Sequence, residues 1–136
     1  MSPRNTLFFA IVVGLPASAM TADPLPLWPT EKEIIRQTNA QRAAYGLPPL
    51  VTDASLVRSA RQHCWWMVNG GGLQHTTANV AENIAMGQGS VTEAVNDWMT
   101  SPGHRANMLS GSYRRIGSAA YRDASGTIYW CVQFLP

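Results

Sequence analysis

Three histidines and one isolated carboxylate are the side chains in this sequence best suited to chemistry. His75 follows the triple glycine Gly70-Gly71-Gly72, in a stretch that reads as a loop, and loops are where sites tend to sit. His104 is the third residue of a short predicted helix opened by Ser101-Pro102. The positive end of the helix dipole disfavours an imidazolium there, and the neutral imidazole is the form that ligates a metal or accepts a proton. Glu82 lies in the apolar segment Ala81-Glu82-Asn83-Ile84-Ala85, where a charge needs a partner. Together His75, Glu82 and His104 make a two-histidine, one-carboxylate set of the kind that holds Zn²⁺ or another divalent cation with a coordination position open. Spacing alone leaves two readings, one functional cleft or three scattered polar residues. The absence of a His-Glu-x-x-His helix excludes the zinc-protease motif.

Other candidates have simpler explanations. His63 adjoins the apolar stripe of a helix, with no carboxylate at helical spacing, and reads as structural. Ser101 and His104 are three residues apart, but Ser101 is expected to cap its helix and no Gly-x-Ser-x-Gly elbow is present, so serine-hydrolase chemistry is disfavoured. Glu93 reads as a capping partner. The Trp65-Trp66 pair is expected to pack on a sheet rather than to face an apolar ligand. Cys64 and Cys131 are the only cysteines. In an exported chain they are expected to form one disulfide, which would close a long loop and contribute roughly 3–5 kcal/mol.

The elements that must position these groups are legible from periodicity and punctuation. Thr30-Glu31-Lys32-Glu33 reads as a capping box opening a helix to about Tyr45, ended by Gly46 and Pro48-Pro49. Asp53 is a good N-cap for a second helix, whose stripe Leu56, Ala60, Cys64 and Met67 ends at the triple glycine. Ser90-Val91-Thr92-Glu93 is a second capping box, and Ser101-Pro102 begins a further short helix. The C-terminal third alternates as strands. The runs 115–122 and 127–135 are joined by Asp123-Ala124-Ser125-Gly126, a hairpin loop. Ile128, Trp130, Val132 and Phe134 share one face of the last run; Tyr129, Cys131, Gln133 and Leu135 share the other. Both faces are mostly apolar, the pattern of a central strand in a layered α+β domain. Cys131 then points at a helix layer, where Cys64 lies on a buried stripe.

The N-terminus reads as a secretory signal over residues 1–19. Arg4 supplies the charge, Leu7 to Leu15 the apolar run, and Ala17-Ser18-Ala19 the cleavage site. The run is too short for a spanning helix, which needs about 20 apolar residues, and the mature chain has no other candidate. A proline-rich linker over residues 20–29 precedes the single domain, residues 30–136. With 46% hydrophobic and 13% charged residues, the chain can bury a core. A net charge of +2 without a basic run excludes nucleic acid as a partner, since phosphate binding needs clustered cations. A secreted or periplasmic monomer is expected.

Six segments resemble bacterial CAP domains, the superfamily of cysteine-rich secretory and pathogenesis-related (SCP) proteins, in the family's order. They are Asn39-x-x-Arg42 with Gly46-Leu47-Pro48-Pro49-Leu50; Gln74-His75-Thr76; Glu82-Asn83-Ile84-Ala85 with Gly87; Trp98 through Asn107; Ile116-Gly117; and Tyr129 through Phe134. The resemblance implies a three-layer α-β-α sandwich around a central antiparallel sheet. It also implies a cleft of two histidines and two acids proposed to hold a divalent metal. His75 corresponds to the first histidine, Glu82 to the first acid and His104 to the second histidine. Ser101 stands where plant and animal members carry their second glutamate, so the cleft keeps three ligating groups and a lower metal affinity. Asp97 lies about 100° around the helix from Trp98 and is poorly placed to substitute. On this basis the sequence reads as a binding module whose cleft, Ser101 included, takes a divalent cation, a small ligand, a lipid or an envelope component. A zinc-dependent hydrolase using the same residues and a purely structural histidine–glutamate cluster are the alternatives.

Overall fold

The computed structural model describes residues 25–136; the expected signal and residues 20–24 of the linker lie outside it. The elements, in order, are α1 (Pro29–Ala44), β1 (Val51–Thr52), α2 (Ala54–Trp66) with a π-helical turn Met67–Gly71, β2 (Ala81–Met86), α3 (Val91–Thr100), α4 (Pro102–Met108), β3 (Arg115–Arg122) and β4 (Ile128–Leu135). The strands form one sheet in the order β1-β3-β4-β2. β4 pairs antiparallel with both β3 and β2, and the two-residue β1 adds a parallel pair at the edge.

The alternation of β4 sorts the molecule into layers. Trp130, Val132 and Phe134 join Ile34 and Ile35 of α1, Val95 and Trp98 of α3 and Met108 of α4 in the larger core. Cys131 faces the opposite way, with Ala119 and Ile84, onto Ala60, Cys64 and Met67 of α2 and its π-turn. The result is the expected three-layer α-β-α sandwich. On the α2 side the packing is close enough that a Cβ at Gly117 of β3 would collide with the backbone of Leu56 and Val57. The Ile116-Gly117 segment is therefore a packing requirement: only a hydrogen fits between the strand and this helix.

Several local expectations shift by a residue. Helix α1 starts at Pro29, whose fixed φ suits the first helical position, so the third position falls on Glu31 and the Thr30–Glu33 box does not form. The buried Glu31 carboxylate instead accepts from Trp28 N–H at 2.9 Å and from Arg61 at 2.6 and 2.8 Å, tying the start of α1 to α2. Glu33 pairs with Arg36 and Gln37 on the surface. At α3 Ser90 caps the Glu93 amide, whereas the Glu93 carboxylate reaches Gly89 N–H. Asp53 caps α2 as expected, accepting from Ser55 and Leu56 N–H. Asn39 and Arg42 clamp chain segments: Asn39 exchanges two hydrogen bonds with the Leu50 backbone, and the buried Arg42 donates to the carbonyls of Pro48, Met108 and Ser110.

Two expectations about side chains are corrected. Cys64 and Cys131 meet in one buried cluster, as their positions imply, but as free thiols and not as a disulfide. The Cys64 thiol donates to the Tyr129 carbonyl at 3.1 Å, and the Cys131 thiol to the Glu82 carboxylate at 3.5 Å. Burial pushes the Cys64 thiol up to about 12 and Cys131 well above its ordinary value, so both stay protonated. Trp65 and Trp66 do not pack on the sheet. The buried positions of α2 are Leu56, Val57, Ala60, His63 and Cys64, and both indoles lie off that stripe, 59% and 43% exposed.

Candidate functional site

Glu82 is the centre of the polar cluster. It sits on β2 opposite Gln133 of β4, on the face covered by α2, and is buried. Its Oε1 accepts from the Thr76 N–H and His75 Nδ1, each at 2.9 Å, and its Oε2 from Gln133 Nε2 at 2.9 Å. Burial would raise its pKa, but these donors and the charge of His63 outweigh that, and the carboxyl titrates below its ordinary value. It is ionised at neutral pH. Because a carboxylate only accepts, Nδ1 of His75 carries a proton, and Nε2 of the exposed ring lies on the side away from Glu82. This is the arrangement by which a buried acid fixes the orientation of an imidazole that meets a ligand.

The glycine-rich π-turn makes the loop that brings His75 to Glu82. Gly70 and Gly72 take positive φ of 115° and 71°, so the chain leaves α2 abruptly and returns toward β2. Trp66 is held against this turn. A Cβ on Gly71 would overlap its ring, and His63 stacks on it at 5.5 Å with an interplanar angle of 16°.

His104 is fastened to the same strand from the other layer. Asn83, one residue after Glu82 and pointing to the opposite face, donates to the His104 carbonyl at 3.0 Å. Asn107 donates to Asn83 Oδ1 at 3.0 Å and to the Glu82 carbonyl at 3.3 Å. Burial and then the charge of His75 lower the His104 pKa, so its ring is neutral at physiological pH and lies within electrostatic reach of His75. Ser101 occupies the N-cap position of α4 but makes no capping hydrogen bond; its hydroxyl is 3.0 Å from His104 Nδ1. The expected reason for setting serine chemistry aside, an occupied cap, therefore does not hold. The structural reason is different: among the described residues no carboxylate hydrogen-bonds His104 to orient it as a base.

His63, read from the sequence as structural, joins this cluster through an approach to Glu82 that spacing did not show. It lies on the buried stripe of α2, seven residues after Leu56, and Nε2 donates to the Gln74 carbonyl at 2.6 Å while standing 3.9 Å from Glu82. A histidine within an apolar helical stripe was the available signal. Its acid partner is distant in sequence, so helical spacing could not reveal it. His63 and His75 line an open cavity of about 580 Å³ between α2 and the loop that follows it, together with Gln62, Trp66 and Gln74. Among the described residues no group of three or more His, Cys, Asp or Glu side chains is arranged to hold a metal ion, and no helix is long and apolar enough to cross a membrane.

Residues 35–134 match the family model described as CAP, cysteine-rich secretory protein family. The chain belongs to that family. It is 32% identical to the uncharacterized protein YkwD of Bacillus subtilis over 97% of this chain and 57% of that protein, so it spans little more than half the relative's length. Among solved structures it is similar to an extracellular SCP-domain protein of Bacillus anthracis, with a TM-score of 0.69 and 22% identity over 83% of this chain and 45% of that one. It is equally similar in fold to an outer surface protein of Borrelia burgdorferi, with a TM-score of 0.69 and 18% identity over 76% of this chain and 89% of that one.

Proposed function

We propose that the protein is an exported CAP-domain binding module whose cleft, formed by His75 and His104 with Ser101 at its rim, takes a small ligand without transforming it. The observation that carries this reading is the saturation of Glu82, both of whose oxygens are occupied by protein donors. A general base must be free to take a proton from water, and a zinc ligand must offer a lone pair to the ion. Glu82 does neither; it orients His75. Among the described residues no third side chain joins the His75 and His104 imidazoles to make up the three protein ligands of a resident catalytic zinc. Export is supported by the apolar run Leu7 to Leu15 with Ala17-Ser18-Ala19, and by the extracellular and outer-surface settings of the two structural relatives.

The test is a thermal-shift screen of a fragment library on the mature protein beside His75→Ala and His104→Ala, with an ester and amide hydrolysis panel run in parallel. A ligand present at 100 times its Kd stabilises by about 2.7 kcal/mol. The expected result is at least one stabilising fragment whose effect is lost in both variants, with no turnover. Hydrolysis abolished in His75→Ala would overturn the proposal in favour of an enzyme. A cluster that only ties loop to sheet would give no fragment hit and a lower melting temperature in His75→Ala.

A further inference from the structure

A row of apolar and aromatic side chains crosses the α2 face of the sheet at its hairpin end. Met86 of β2 stands opposite Tyr129 of β4, and Tyr129 opposite Tyr121 of β3. Side chains paired in this way are neighbours on one face. Each is two residues from the buried Ile84, Cys131 or Ala119, so all three point to the α2 side. Trp28 continues the row past β3, edge-on to Tyr121 at 5.7 Å. At a strand spacing of about 4.8 Å the row is roughly 15 Å long. Met86 and Trp28, at its two ends, are 48% and 45% exposed, and the tyrosines between them are half-buried. Trp65 borders the row from α2: its neighbour Cys64 bonds the Tyr129 carbonyl, and Arg61, one turn earlier, lies 4.2 Å over the Trp28 ring. The rings pack on one another and leave their outer edges to solvent, a contiguous apolar surface that calls for a partner.

We infer that this row docks the protein on the surface of a phospholipid bilayer. Tyr and Trp side chains with an apolar body and a free polar tip settle at the headgroup level of a membrane. Among the described residues the Tyr121 and Tyr129 hydroxyls and the Trp65 indole N–H make no side-chain hydrogen bond, whereas the indoles of Trp98 and Trp130 bond the carbonyls of Ile84 and Gln88. The charge beside the row suits anionic lipid. α2 has no acidic residue and carries Arg58 and Arg61 on one side at i, i+3 spacing, and Glu31, the partner of Arg61, is buried. Asp123, in the adjoining hairpin, is engaged by Ser125 and Thr127. The path of the chain agrees. Arg61 holds the Pro26 carbonyl at 2.9 Å, so the chain enters the domain at the Trp28 end of the row, downstream of the apolar run Leu7 to Leu15. Two copies meeting symmetrically on this face would set their Arg58 and Arg61 side chains against each other, which disfavours a dimer. The inference is separate from the ligand cleft and shares only the export of the chain with that reading.

Co-sedimentation of the mature protein with vesicles of equimolar phosphatidylglycerol and phosphatidylethanolamine tests it. The wild type is expected to pellet with the vesicles, and the bound fraction to fall about fivefold or more in Met86→Glu and in Trp65→Ser. Both side chains are exposed, so the variants should keep the wild-type melting temperature; if Met86→Glu does not, Trp65→Ser decides. Tyr45→Ser removes another exposed aromatic ring, one that lies against Arg105 of α4 and away from the row, and should bind as the wild type does. His75→Ala should also bind vesicles fully while losing fragment-induced stabilisation, which keeps the two sites distinguishable. No pelleting of the wild type, undiminished pelleting of Met86→Glu and Trp65→Ser, or an equal loss in Tyr45→Ser would overturn the inference. A dimer in sedimentation velocity that Met86→Glu disperses, with no vesicle binding, would overturn it in favour of a second copy on this face.

Discussion

The two faces of the sheet differ in kind, although one strand supplies both. Toward α1, α3 and α4, β4 presents Trp130, Val132 and Phe134, and the layer is filled with large apolar side chains including Trp98, Ile34 and Met108. Toward α2 the same strand presents Cys131 and Gln133, and the layer sets Ala60, Cys64, Met67, Ile84 and Ala119 beside the Glu82 cluster. The first face buries area, and the second buries polarity that has to be matched donor for acceptor. Stability and site construction are thus separated by the alternation of a strand.

The sharpest way to break this comparison is to cut into the large core. Trp98→Ala removes a buried indole and uncaps the Ile84 carbonyl, and chemical denaturation should show a loss of about 3–5 kcal/mol. A loss below about 1 kcal/mol would refute the assignment of stability to this face.

Glu82→Ala tests the polar face. It strands Gln133, Thr76 N–H and His75 and should cost about 1–3 kcal/mol. Glu82→Gln keeps the shape but replaces the ionised acceptor with a neutral amide, so fragment binding should fall while most stability remains. If the two variants are equally stable, satisfying the buried donors is not what the carboxylate contributes.

Acid should erode the fold in two stages. His104 titrates below its ordinary 6.5 when folded, so the unfolded chain takes up the proton first and stability declines as pH drops beneath 6.5. Glu82 titrates below 4.5 when folded, so its contribution is present above that value and is lost as pH falls through the folded pKa. Urea denaturation across pH should show the upper stage vanish in His104→Ala and the lower one shrink in Glu82→Gln, where Asp53 and Asp123, also held below their ordinary values by hydrogen bonds, still contribute; persistence of the upper stage without His104 would contradict the assignment.

The smallest expected effect is His75→Ala. Its ring is largely exposed, so stability should change by no more than about 0.5 kcal/mol while fragment-induced stabilisation disappears. A drop well beyond that would make His75 a structural tie.

Much of this organisation was readable in the sequence because it follows from periodicity. The two faces of β4, the stripe of α2 and the breaks at Gly46 and Gly70 to Gly72 depend on local pattern, and the structure keeps them. The errors arose where a local rule met a competitor. Pro29 moved the start of α1, and Ser101 turned to His104 in place of its own helix. The partnership of His63 with Glu82 and the engagement of Glu82 by Gln133 join residues far apart in sequence, and no local pattern encodes them.

The covered edge of β2 bears on how the protein behaves when crowded by copies of itself. A sheet that ends in bare carbonyls is a template for a second copy, and the β2 side of this sheet would otherwise end in such a row. Trp98 and Asn107, which hold α3 and α4 against that strand, occupy two of the carbonyls a neighbouring chain would need. The contacts that hold α3 and α4 against β2 therefore also guard this edge against self-association, and loosening α4 would lower solubility.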